Sequence, residues 1–223
     1  MWIIGNKELL KLFFALIVVL ICMVIVFKTH KLFRLSSYTG IRYFRNAFFF
    51  YGIGFAIRFF IGSPIFDNKY LSAYYPAINS LFEFFLVMAG FFLLYSLLWK
   101  NFEHRKHSLS SLFNFKIFIF YLVAFIIVVL DSIWKTNYFM FASQILLFVL
   151  ASGISYLNYI KKKNREFLKF YFIAMILSLI AWVLNALAAL YFNWNQAVLI
   201  NIYILNLIVF LLFLYGVIKV TRI

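Results

Sequence analysis

The sequence predicts an all-α chain: a polytopic membrane protein folded as a bundle of about seven transmembrane helices, with its N-terminus outside and its C-terminus in the cytoplasm. Three observations carry this reading. Of the 223 residues, 67% are hydrophobic and 12% charged, with a mean hydropathy of +1.01, whereas soluble domains are about half apolar and a quarter charged. The apolar runs are continuous over about 20 residues, the length of a spanning helix; barrel strands alternate over about 10. Hydrocarbon offers backbone N–H and C=O groups no partners, so spans are helices or closed barrels, and run length decides for helices. Finally, the Lys and Arg residues gather in every second gap between runs.

Taken in order, the runs fall at roughly 9–27, 46–62, 76–99, 117–133, 139–160, 170–192 and 197–218, read as a single transmembrane domain over 1–223. The first is too long for a signal-peptide core and no small-x-small cleavage site follows it, so it is expected to remain as a membrane helix. The second and fourth are short and lean on flanking residues to span. Pro64 and Pro76, the only prolines, bracket the gap between the second and third runs and mark helix boundaries. No helix-pair repeat suggests internal duplication.

Cytoplasmic loops carry the excess of basic residues. Sixteen Lys and Arg fall on one side, from Lys28 through Arg222, against four on the other: Lys7, Lys11, Lys69 and Lys135. That imbalance sets the sidedness, and an odd number of crossings places every basic loop on one face. Trp and Tyr favour the headgroup level, and Trp2, Tyr70, Tyr74, Tyr75, Trp134, Tyr138, Tyr191 and Trp194 lie at expected outer ends.

A charge at the bilayer centre costs about 2.5 to 3.5 kcal/mol on insertion scales, so intramembrane ionisable groups are the first functional candidates. Arg58 in the second run, Glu83 in the third and Asp131 near the end of the fourth all fall in the outer half. The short second-to-third connection makes an Arg58–Glu83 ion pair plausible. Gln144, Asn185, Gln196 and Asn201 add uncharged polar groups at the same level. The expected ligand-binding set is therefore Arg58, Glu83, Asp131, Gln144, Asn185 and Asn201. The competing reading is interhelical hydrogen bonding plus one structural ion pair, at about 0.6 kcal/mol per bond.

Small and polar residues also recur at helical spacing, the pattern of a membrane helix interface. The stripes are Ala47, Tyr51, Gly54, Arg58, Gly62 in the second run; Ser80, Glu83, Val87, Gly90 in the third; Gln144, Ala151, Ser155, Asn158 in the fifth; and Ala174, Ser178, Ala181, Asn185, Ala188 in the sixth. Gly52-x-Gly54 reads as close helix packing.

The net charge of +15 lies in short loops, not on one water-facing surface, so it points to anionic lipid headgroups on the cytoplasmic face and not to nucleic acid. Arg42, Arg45, Lys161, Lys162 and Lys163 are the expected headgroup or partner contacts. The basic, aromatic-rich stretch after the first run is read either as a short helix in the headgroups or as a loop with the second helix starting near Tyr38.

Several chemistries find no support. Cys22 is the only cysteine, and His30, His104 and His107 all lie in cytoplasmic loops, so no metal site and no cofactor are expected. No phosphate loop, nucleophile elbow or paired catalytic aspartates occur, and the chain is not expected to be an enzyme. A retinal protein needs a lysine in the middle of its last helix, whereas Lys219 lies at its end. In helix count and sidedness alone the layout resembles the seven-helix receptor and sensor modules.

The expected function is a multi-pass cell-membrane sensor or partner-binding module with a polar pocket in the outer leaflet half. Its output would pass through a membrane protein partner or a homo-oligomer. The alternatives are a small transporter or channel using Arg58 and Glu83, or a structural subunit of a membrane complex.

Overall fold

A computed structural model describes residues 7–36, 39–58, 75–102, 115–134, 137–161, 166–191 and 196–221. Among them the chain forms seven helices: α1 (Lys7–Ser36), α2 (Thr39–Ala56), α3 (Tyr75–Phe102), α4 (Phe115–Trp134), α5 (Tyr138–Lys161), α6 (Glu166–Leu190) and α7 (Gln196–Thr221). Six of them, all but α2, are long and apolar enough to cross a membrane, the composition of a multi-pass membrane protein.

The ends of the helices follow from local chemistry. α1 has 30 residues, about 45 Å at 1.5 Å per residue, and outruns a hydrocarbon layer of about 30 Å. Its last turns carry Lys28, Lys31 and Arg34, and α2 begins again at Thr39. The basic stretch expected after the first run is therefore mostly helical, shared between α1 and α2. α3 starts at Tyr75 with Pro76 next; a first-turn proline costs nothing, since its missing N–H would have had no helical partner.

The packing order is a ring. α1 packs on α2, α2 on α3, α3 on α5, α5 on α6, α6 on α7, and α7 closes onto α1. α4 lies outside this ring, against α3 and α5.

Small residues set the closest approaches, as the stripes predict. A Cβ on Gly52 would stand 3.3 Å from Cys22 Cβ in α1, and one on Gly54 would stand 3.2 Å from Phe85 Cβ in α3. The Gly52-x-Gly54 pair thus seats α2 between its neighbours. Ala47, Ala151, Ala174, Ala181 and Ala188 are buried, together with Ser155 and Ser178. The centre is aromatic: Phe48 of α2 is fully buried and meets Phe213 at 5.2 Å and Phe210 at 6.1 Å, both edge-on. Edge-to-face pairs at such distances add about 0.5 to 1.5 kcal/mol beyond their burial.

Candidate functional site

The ring encloses a cavity of about 410 Å³, within the roughly 300 to 1,000 Å³ of small-molecule sites. All six ring helices line it and α4 does not.

Its wall changes character along the bundle. Lys11, Arg58, Asn137 and Asn185 lie at the end where α1 begins, with the ring of Tyr203 beside them. The floor is apolar, formed by Phe48, Leu93, Phe148, Val209 and Phe213. From Arg58 to Phe48 along α2, or from Asn137 to Phe148 along α5, the depth is about 15 Å at 1.5 Å per residue. Arg58 and Asn137 are exposed, so the cavity opens at this polar end.

Each polar group is held by its surroundings. Arg58 follows α2 in a wide π turn over 57–58 and carries its guanidinium 4.4 Å from the centre of the Phe82 ring, in the range of a cation–π contact. It also stands within electrostatic reach of Glu83 and Tyr203. Asn185 donates to Ala181 O at 2.9 Å, and Ser178 to Ala174 O at 2.7 Å. Both bonds stay within α6. Trp182 of α6 and Tyr51 of α2 both line the cavity, with the indole N–H near the Tyr51 hydroxyl.

The structure separates the six expected ligand residues into three groups. Arg58 and Asn185 line the cavity. Glu83, Asp131 and Gln144 are buried but are not among its lining residues. Asn201 is exposed and outside the lining.

Asp131 has a definite local role. Its Oδ1 accepts the Phe139 N–H at 3.0 Å and its Oδ2 the Met140 N–H at 2.8 Å. These are two of the first amides of α5, which have no partner within that helix. A carboxylate there satisfies them and interacts favourably with the positive end of the helix dipole. The last turn of α4 therefore caps the helix that follows it. Glu83, 8% exposed, lies within electrostatic reach of both Asp131 and Arg58.

Gln144 joins α5 to α3, its Nε2 donating to Leu86 O at 3.1 Å. Its Oε1 is buried without a hydrogen-bond partner among the described residues and sits where a Gly90 Cβ would come within 2.9 Å. Gly90 makes room for the amide.

The expected headgroup contacts lie at the opposite end. Arg45 donates to His30 Nδ1 at 2.9 Å and to Asn46 Oδ1 at 3.4 Å, pinning the end of α1 to the start of α2. Arg42 stacks over Phe33 at 5.2 Å, and Lys161 is exposed at the end of α5. Lys162 and Lys163 lie outside the described residues.

Sequence reasoning missed Lys11, Asn137, Trp182, Tyr203 and Asn206, all in the cavity wall. Asn206 was findable, as a lone amide inside the last apolar run. Trp182 sits well inside the sixth run, away from the headgroup level, and was also a signal. Lys11 was counted only as a loop charge. Among the described residues no group of three or more His, Cys, Asp or Glu is placed to hold a metal ion. Comparison with protein-family models, with curated proteins and with solved structures gives no match to this chain.

Proposed function

We propose that the chain is a ligand-sensing seven-helix membrane protein that crosses the cell membrane seven times, N-terminus outside, and binds a small molecule in the central cavity from the outer side. The observation that carries this reading is the cavity: about 410 Å³, walled by six helices, with its charged groups at one end and an aromatic floor at the other. Under positive-inside sidedness, sixteen basic residues to four, that polar end faces outward. α2 is the seventh crossing, shielded from lipid by its neighbours. In this reading the signal passes to a partner protein or a second copy through the basic face.

A single-cysteine scan tests this directly. Cys22 is buried against Gly52, so the Asn185→Cys variant adds a reporter to a quiet background. In sealed vesicles, a membrane-impermeant thiol reagent added outside is expected to label it at least tenfold faster than reagent trapped inside. Equal labelling from both sides supports a transporter or channel instead. Protection from both sides supports a structural subunit, and labelling from the inside alone reverses the orientation.

A further inference from the structure

We infer that the cavity takes a single-chain amphiphile with an oxyanion head, the head lying at Lys11 and Arg58 and the chain running down to the Phe48, Phe148 and Phe213 floor. This deepens the sensor reading and rests on it.

The polarity gradient is the first support. Lys11, Arg58, Asn137 and Asn185 stand at the mouth, Tyr51, Ser178 and Asn206 come further in, and about 15 Å from the mouth the floor is aromatic and aliphatic. At mid-depth the Ser178 hydroxyl donates to its own helix. A ligand polar along its whole length would leave hydrogen-bonding groups without partners on that floor, at a cost that disfavours it. A wholly apolar ligand would desolvate two cations at the mouth without itself supplying an anion to offset the loss.

Sign is the second support. Among the described residues, the charged groups in the wall are Lys11 and Arg58, with no carboxylate beside them in the lining. Of the two acids nearby, Asp131 holds the α5 amides, and Glu83 is buried outside the lining within electrostatic reach of Asp131 and Arg58. Glu83 offsets part of the Arg58 charge but does not reverse the sign at the mouth. A guanidinium and an ammonium together suit a carboxylate or a phosphate monoester, which accept several charge-assisted hydrogen bonds. Volume is the third. At the low end of the small-molecule range, 410 Å³ suits one chain.

The test uses full-length Asn185→Cys protein in nanodiscs. Protection of the cysteine is compared for dodecanoate, dodecyl phosphate, dodecanol and dodecyltrimethylammonium at equal mole fraction in the bilayer. One or both anions are expected to protect at roughly tenfold lower concentration than the alcohol, and the cation not at all; which anion is stronger tells a fatty acid from a phosphate ester. Adding Lys11→Met or Arg58→Met should erase the anion's advantage while the alcohol keeps its weak protection. Ser178→Leu, which fills the middle of the channel, should move the preference to shorter chains even if the charge variants do not fold. Equal protection by acid and alcohol, or protection by the cation, overturns the assignment of the head. A reactive cysteine that no amphiphile protects overturns the ligand class and leaves the cavity reading intact. A cysteine unreactive from both sides overturns both.

Discussion

α2 and α4 invert the usual expectation about apolar helices. α4 is among the most apolar elements of the chain, yet 22% of its span is buried, against 56% for α3. Phe118, Leu122, Phe125, Ile126 and Ile133 point outward from it. α2 is the one helix not apolar enough to count as a span, carrying Arg42, Arg45 and Asn46, yet Tyr43, Ala47, Phe48, Phe50 and Tyr51 are all buried. In water the more apolar helix would be the inner one. In hydrocarbon lipid tails are as apolar as leucine, so nothing drives an apolar face inward. What selects the interior is close packing, aromatic contacts and polar groups that need partners. α2 has all three, whereas α4 turns one face inward, through Ile117, Ala124, Phe120 on Phe91 and the cap at Asp131, and leaves the other outside.

The strongest way to break this contrast is to remove one large ring from each helix. Phe48→Ala takes away a fully buried ring held by Phe210 and Phe213. It should destabilise the bundle by about 3 kcal/mol or more, the cost of emptying a buried aromatic site. Phe125→Ala on α4, whose ring is 62% exposed, should fall within about 0.5 kcal/mol of wild type. Reversible unfolding in mixed micelles measures both, and equal losses would mean that α4 is as internal as α2.

The next effect isolates the polar contact that α4 makes with the helix after it. Asp131→Ala leaves the Phe139 and Met140 amides without their acceptor, and should cost about 1 to 2 kcal/mol, as lost caps do. Hydrogen exchange at the start of α5 should quicken, while exchange at the start of α7 stays unchanged. Uniform exchange across both helices would assign Asp131 a global role in place of a local one.

The smallest effect compares two glycines. Gly153 in α5 has nothing within 4 Å of an added Cβ, so Gly153→Ala should add up to about 1 kcal/mol through helix propensity alone. Gly90→Ala would meet Gln144 Oε1 at 2.9 Å and Leu147 Cδ1 at 3.1 Å. Both are side-chain ends that can shift, so the propensity gain should be cancelled, leaving stability level or slightly lower. A gain at Gly90 equal to that at Gly153 would show that the Gln144 amide is not held against α3.

Much of the fold was legible along the chain because a membrane imposes long apolar runs and sorts charge by side. The runs and basic gaps anticipated seven helices, although α1 carries on through Ser36 and α2 starts at Thr39, since helical hydrogen bonding does not stop where apolarity does. The buried stripes in α5 and α6 were legible too, through Gln144, Ala151 and Ser155 and through Ala174, Ser178 and Ala181. The candidate site was legible only in part. Counting intramembrane polar residues picked out Arg58 and Asn185, which line the cavity, but grouped with them Asp131, which caps a helix, and Asn201, which is exposed.

Run length, composition and the spacing of small residues belong to the chain itself, because each reflects a local requirement: satisfied backbone bonds in hydrocarbon, charges kept to the loops, and a groove where a neighbour can approach. Which neighbour arrives is a matter of ring closure. Only the closing of α7 onto α1, with α4 left outside, put Lys11, Asn137 and Asn206 into the same wall as Arg58. Those neighbours are far apart in sequence, and no periodicity within one helix encodes their meeting.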